Sequence, residues 1–245
     1  MSSQLSNKVV VFDLDETLGY FVELGVFWEA MLLYASPMNI LTQELFNSVL
    51  DLYPEFIRPN LFIILKYLKR QKMAGLCRSV MIYTNNTGPP EWVHSIKNYI
   101  HEKMEYNLFD QVIGAFKVNG KVIEICRTTN EKNKDDFIRC TKLPENIEIC
   151  FVDNEYHESM HQHDIYYINV NTYINALLPN IMIDRFISNS VSRPLVQNKS
   201  DFNKFATTYM KRYSGIYNLI KSKEEYEIDK IVSKQLMILL QTFFK

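Results

Sequence analysis

Stretch 8–18, KVVVFDLDETL, runs four β-branched or aromatic apolar residues, Val9, Val10, Val11 and Phe12, without alternation into a cluster of carboxylates. So short an unalternated run, bounded by polar residues, reads as a strand buried on both faces, as in the middle of a parallel sheet. The acids then sit at its carboxyl end, where open α/β sheets bind their ligands. Side chains two apart share a face of an extended chain, so Asp13, Asp15 and Thr17 converge on one point.

Carboxylates held that close repel. Protonating one of them relieves the repulsion, and so does a cation between them. Mg²⁺ suits the second solution, because it takes hard oxygen ligands and accepts a site that supplies only a few. A metal beside a free carboxylate also lets that carboxylate meet a phosphate its own charge would otherwise reject, which makes Asp13 a candidate for an aspartyl-phosphate intermediate. The alternative for D-x-D alone is a solvated strand end with an acidic turn.

The chain has 245 residues, enough for a full core in one domain plus an appendage. Its formal net charge of -1 leaves no overall electrostatic footprint for nucleic acid. No apolar run reaches the length of a spanning helix, and the opening MSSQLSNK lacks the apolar centre of a signal peptide, so a cytoplasmic or nuclear location is expected. Cys77, Cys126, Cys140 and Cys150 are scattered singly with no C-x-x-C pair. They read as small core residues rather than a zinc site or disulfide framework.

After the first motif, residues 19–57 carry helical spacings (Phe21, Leu24, Trp28, Met31 and Leu32; then Leu45, Phe46, Val49 and Leu50 behind a Thr42 cap). The segment is too small to fold alone, so it is expected to lean on the main domain as a flap. Arg58-Pro59 opens a clearer helix with Leu61, Ile64, Leu65 and Leu68 inward, and Gly75 follows as an end signal. A second buried strand, Val80-Met81-Ile82-Tyr83, delivers Thr84, Asn85 and Asn86 into a Gly88-Pro89-Pro90 turn. A hydroxyl and loop N–H groups at a strand end can donate to phosphate oxygens, or can simply satisfy turn backbone. Trp92, Ile96, Tyr99 and Ile100 are expected inward on the helix that Pro90 starts. Asn119-Gly120 between two strand-like runs is a type I′ hairpin signal, and its polar exit, residues 127–134, leads into a short helix from about Asp135. A third buried run, residues 147–152, ends in Asp153-Asn154.

Strand ends carrying Asp13/Asp15, Thr84 and Asp153/Asn154, with a lysine before the last, resemble in order and spacing the haloacid dehalogenase-like phosphohydrolases. DLDETL at residues 13–18, Arg58-Pro59, the hairpin before the lysine and VDN at residues 152–154 look most like the RNA polymerase II C-terminal-domain phosphatases and their small relatives; stand-alone proteins of this kind also occur in large DNA viruses. The resemblance spans roughly residues 8–180 in outline and is specific at the motifs. It implies an α/β, Rossmann-like parallel sheet flanked by helices, the haloacid dehalogenase fold, with a small helical insertion after the first strand, a β-hairpin and C-terminal helices. It further implies Asp13 as nucleophile and Mg²⁺ ligand, and Asp15 as general acid and base whose backbone carbonyl meets the metal. Thr17 would brace the loop, Thr84 and Asn85 would bind phosphate, and Asp153 and Asn154 would complete the metal site. The family places its lysine directly before Asp at the helix start, which favours Lys134; Lys132 is two positions away.

The expected organisation is a phosphatase domain over residues 1–187, a polar linker over 188–200, and an extension over 201–245 with two amphipathic faces. Those faces are Phe202, Phe205, Tyr209 and Tyr213, and then Ile228, Ile231, Val232, Leu239, Leu240 and Phe243. They either pack back on the core or offer a partner or dimer surface. Glu155, His157, Glu158, His161 and His163 have a transition-metal composition but no helix-pair spacing, and read as a polar loop rimming the site, with His157 near substrate. Because the insertion after the first motif is small, an open site is expected, which favours a phosphoprotein over a small metabolite; the expected activity is a Mg²⁺-dependent phosphomonoesterase acting on a phosphoprotein. A metabolite, nucleotide or nucleic-acid-end phosphatase and a catalytically silent scaffold are the alternatives.

Overall fold

The computed structural model describes residues 6–35, 42–212 and 221–245; Tyr213 lies outside them. In chain order the elements are β1 (Lys8–Phe12), α1 (Val22–Ala35), α2 (Gln43–Leu50), α3 (Leu61–Met73), β2 (Ser79–Tyr83), α4 (Pro90–Met104), β3 (Phe109–Ile113), β4 (Lys117–Val118), β5 (Lys121–Val122), α5 (Lys134–Thr141), β6 (Glu148–Asp153), β7 (Ile165–Asn169), α6 (Pro179–Ser188), α7 (Lys199–Lys211) and α8 (Lys223–Phe243). Five strands form one sheet in the order β3-β2-β1-β6-β7, with every neighbouring pair parallel. This is an α/β, Rossmann-like arrangement. The strand order reverses at β1, so the crevice between the ends of β1 and β6 is the switch point where such sheets place ligands.

The chain divides into two compact units. The first contains residues 1–19, 58–173 and 227–245, and holds the sheet. Residues 9–12 are fully buried, as an unalternated central strand requires. On one sheet face Val9, Val11, Met81, Tyr83, Ile149 and Phe151 pack with Phe137 of α5 and Met160. Alternate residues serve the other face, where the Phe243 ring of α8 meets the Tyr166 ring at a tilt of 31° and Lys8 Nζ donates to the Phe243 carbonyl at 2.6 Å. The α3 stripe Leu61, Ile64, Leu65 and Leu68 is buried as its spacing predicts, but the helix begins at Leu61 behind Asn60 rather than at Pro59. On α4 it is Val93, not Trp92, that joins Ile96, Tyr99 and Ile100 inside. Asn119 and Gly120 adopt φ of 49° and 79°, the pair of positive values a type I′ turn needs.

The second unit contains residues 20–57 and 174–226. The insertion, expected as a flap of the main domain, belongs to this second unit. It supplies half of a helical unit whose other half is α6 and α7. Phe27 of α1 meets Tyr53, Phe186 and Phe202 edge-on, the Tyr53 hydroxyl donates to the Met182 carbonyl at 2.7 Å, and Arg185 grips both Glu55 oxygens at 2.9 Å. Stretch 188–200 is likewise no open linker, because a 3-10 turn at Ser190–Ser192 precedes buried Leu195 and Val196. On α7 Phe202 is buried, with Phe205 and Tyr209 half-buried. On α8 the expected apolar face is only partly realised: Leu240 and Phe243 are buried together with Asp229 and Ser233, whereas Ile228 and Ile231 are exposed.

The cysteines divide evenly. Cys77 and Cys150 are buried and free, as expected of core residues, but Cys126 and Cys140 form a disulfide with a Cα separation of 5.0 Å. Among the described residues no helix is long and apolar enough to cross a membrane.

Candidate active site

The first motif leaves β1 through a backbone bond, Asp13 N–H to the Val152 carbonyl at 2.9 Å, which ties the ends of β1 and β6 together. Glu16 follows with φ 61°, in the left-handed region a side chain rarely adopts. The loop that imposes this conformation is held from two sides. Thr17 Oγ1 donates to Asn154 Oδ1 at 2.8 Å and accepts the Asn154 N–H at 3.1 Å. Arg58, 1% exposed, donates to the carbonyls of Thr17 (2.5 Å), Glu16 (2.7 Å) and Asn171 (2.8 Å) and lies over the Tyr173 ring. Burial pushes its guanidinium down to about 10. The sequence marks Arg58 as the start of a helix and as part of a family motif without a role; the structure makes it the brace of the acidic loop.

The second motif sits on the neighbouring strand. Thr84, 1% exposed, donates its N–H to the Ile113 carbonyl, and its hydroxyl accepts the Asn86 N–H at 3.0 Å, so its own proton remains to be donated. Asn86 turns back to give Nδ2–H to Asp15 Oδ2 at 2.7 Å while its Oδ1 accepts the Gly88 N–H. Asn86 is thus a site residue that the reading of the motif had left in the turn. Asn85 is exposed, and its Oδ1 accepts from Arg127 at 2.9 Å.

The lysine comes from the loop before α5. Lys132 Nζ lies 2.5 Å from Asp13 Oδ1 and 2.7 Å from Asp153 Oδ2, with only 2% of the residue exposed. Lys134, the residue favoured by the family pattern, instead pairs with Asp164 at the surface. The reason is local. Asn133 caps α5 by accepting the Asp136 N–H, and buried Asp136 accepts from Thr128 N–H and Oγ1, so the helix starts with Lys134 already turned away.

Asp153 is 1% exposed at the end of β6; its Oδ1 accepts the Glu155 N–H and its Oδ2 faces Lys132 and, at 3.4 Å, His157 Nε2. His157 is buried and its Nδ1 lies 3.3 Å from Glu131, whereas His161 and His163 are exposed. The only His, Cys, Asp and Glu grouping among the described residues with metal-like convergence is Glu124, Cys126 and Cys140, whose sulfurs are joined to each other. The histidine loop does not converge on a centre.

Electrostatics follow from burying several acids around one ammonium. Burial raises the Asp13 carboxyl from 3.8 to about 7; Lys132 opposes this and Asp153 adds to it. Burial also raises Asp15 against the Asn86 and Lys132 contacts. At Asp153 burial is outweighed by His157 and Lys132, which hold its carboxyl below the usual range. Lys132 is held above its ordinary value because its two carboxylate partners outweigh burial.

These positions define a class of site: strand-end acids of a parallel sheet closed over one buried lysine, with hydroxyl and amide donors on the adjoining strand. No family model, curated protein or solved structure matches the chain.

Proposed function

We propose that the first unit is a haloacid dehalogenase-like phosphomonoesterase that works through an aspartyl phosphate on Asp13. One observation carries the reading: Lys132 bridges Asp13 and Asp153 at the strand-order switch point. Phosphoryl transfer asks a protein chiefly for positioning and charge neutralisation. Asp13 supplies the attacking carboxylate oxygen, which forms the O–P bond as the ester P–O bond breaks. Asp15, held by Asn86, gives its proton to the leaving oxygen. In the second half, Asp15 takes a proton from the water that attacks phosphorus, and the Asp13–phosphorus bond breaks to release phosphate. Lys132 and the Thr84 hydroxyl face the charge on the transferred group.

The donor set also fits Mg²⁺. Asp13, Asp153, the Asn154 amide oxygen and the Asp15 carbonyl are hard oxygens, and Asp13 and Asp153 stand close enough together to share one cationic group. When bound, Mg²⁺ would supply that charge and polarise the phosphate. The preference for a phosphoprotein rests on the motif resemblance alone. The insertion is half of a second unit, so its short length gives no argument for an open site.

The test is hydrolysis of p-nitrophenyl phosphate with Mg²⁺ or EDTA, by the parent and Asp13→Asn. Metal-dependent turnover lost in the variant supports the reading, and phosphoserine peptides against nucleotides then decide the substrate class. Equal turnover by Asp13→Asn, or none by the parent on any of these substrates, refutes it.

A further inference from the structure

Arg127 sits outside the four motifs, yet it is 2% exposed and makes contacts to three parts of the site. Its Nη1 donates to the Thr84 carbonyl (3.3 Å), Asn85 Oδ1 (2.9 Å) and the Gly114 carbonyl (2.8 Å). Its Nη2 donates to the carbonyls of Asn130 (3.0 Å) and Glu131 (3.3 Å). The guanidinium lies 4.8 Å from the centroid of the Tyr83 ring. One planar group therefore joins the end of β2, the end of β3 and the two residues immediately before Lys132. Its hydrogen-bond partners are carbonyl and amide oxygens, an arrangement that leaves a buried cation costly and is useful where a rigid fork fixes geometry. The disulfide anchors this loop only at Cys126 and at Cys140 in α5, not in the middle where Lys132 stands.

Resting on the phosphatase reading, we infer that Arg127 is a positioning residue that registers the Lys132 ammonium against Asp13 and Thr84. It acts through Lys132 and not on substrate. Lysine cannot reproduce a fork spanning three segments, so Arg127→Lys keeps the charge and loses the registration. A displacement of about 1 Å in a catalytic group can cost on the order of 100-fold.

The test compares Arg127→Lys, Lys132→Met and the double variant in p-nitrophenyl phosphate turnover, with thermal melting and mass-spectrometric acylation of Lys132 by an N-hydroxysuccinimide ester. We expect Arg127→Lys to lower kcat by roughly 10- to 100-fold. The loss should vanish in the Lys132→Met background, because residues acting as one unit are non-additive. Lys132, protected in the parent, should become labelled in Arg127→Lys while the melting temperature stays close to that of the parent. If Arg127 variants fail to fold, Asn85→Ala, which removes a single acceptor, carries the same labelling comparison. An equal loss in both backgrounds, or unchanged labelling, overturns the inference. Should the parent show no turnover, the phosphatase reading falls, and the labelling still decides the positioning role.

Discussion

Replacing Asp13 by Asn should abolish turnover and at the same time make the metal-free protein more stable. The folded carboxyl holds its proton up to about pH 7, whereas its ordinary value is 3.8. Between those limits the folded state binds more protons than the unfolded chain, so stability falls as pH rises, and above pH 7 the whole cost of ionising Asp13 stands. The gap corresponds to roughly 4 kcal/mol at 25 °C. Asn never ionises and so escapes that cost; the contact of the carboxylate with Lys132 is already contained in the value near 7, so the expected gain is up to about 4 kcal/mol. For a chain of this size that is up to about 8–16 °C in melting temperature. The assay is thermal melting of parent and variant in EDTA from pH 4 to pH 8. The gain should be absent near pH 4, grow through pH 5 and 6, and level off above pH 7. Mg²⁺ should then stabilise the parent and leave the variant nearly unmoved, since a ligand of the folded state stabilises in proportion to its binding. A variant that melts at or below the parent at every pH in EDTA would refute the electrostatic reasoning, whatever its activity.

Lys132→Met should lower kcat/KM by about 100-fold or more, as removal of a charge-stabilising donor does, while Lys134→Met, which breaks only a surface pair with Asp164, should change both activity and stability little; steady-state kinetics on both variants separates the two lysines. Glu23 of α1 is buried, and burial raises its carboxyl from 4.5 to about 7 against a Tyr20 contact. Glu23→Gln should therefore stabilise the protein by up to about 3 kcal/mol above pH 7 and not at all below pH 4.5, measured by urea unfolding at the two ends of that range. Opening the Cys126–Cys140 bridge, by reductant or as Cys126→Ser, should cost about 3 kcal/mol for a loop of 14 residues. Melting with and without dithiothreitol, alongside thiol counting in denaturant, checks this.

What sequence made legible is what local patterns control. An unalternated apolar run buried on both faces fixed β1, β2 and β6 as central strands and put Asp13, Thr84 and Asp153 at their carboxyl ends. Asn-Gly fixed the hairpin because few residues take its backbone. Long-range partnership stayed hidden. Nothing in residues 20–57 announces that Phe27 would meet Phe186 and Phe202, because a helical stripe reports that a face is buried and not against what. The Cys126–Cys140 bridge was equally unreadable, since a separation of 14 with a helix between brings two cysteines together only through the return of α5.

The choice between Lys132 and Lys134 shows where a motif stops being a geometry. A pattern that counts from the helix start assumes that the lysine is the first helical residue. Here the first helical residue is Lys134, and the Asn133 cap sets its direction before any charge is considered. The residue before the cap lies outside the helix, and Arg127 holds the carbonyls of the two residues before it; Lys132 there reaches both acids. Buried carboxylates select the cation that can approach without distorting its own backbone. Aspartates 13 and 153 share one ammonium, Asp153 also faces His157 Nε2, and Asp15 leans on an amide, so three acids stand together out of bulk water at the strand ends. Keeping such a cluster buried is costly in a scaffold, a cost that the proposed phosphatase reading accounts for by giving the acids a divalent cation and a phosphate to hold.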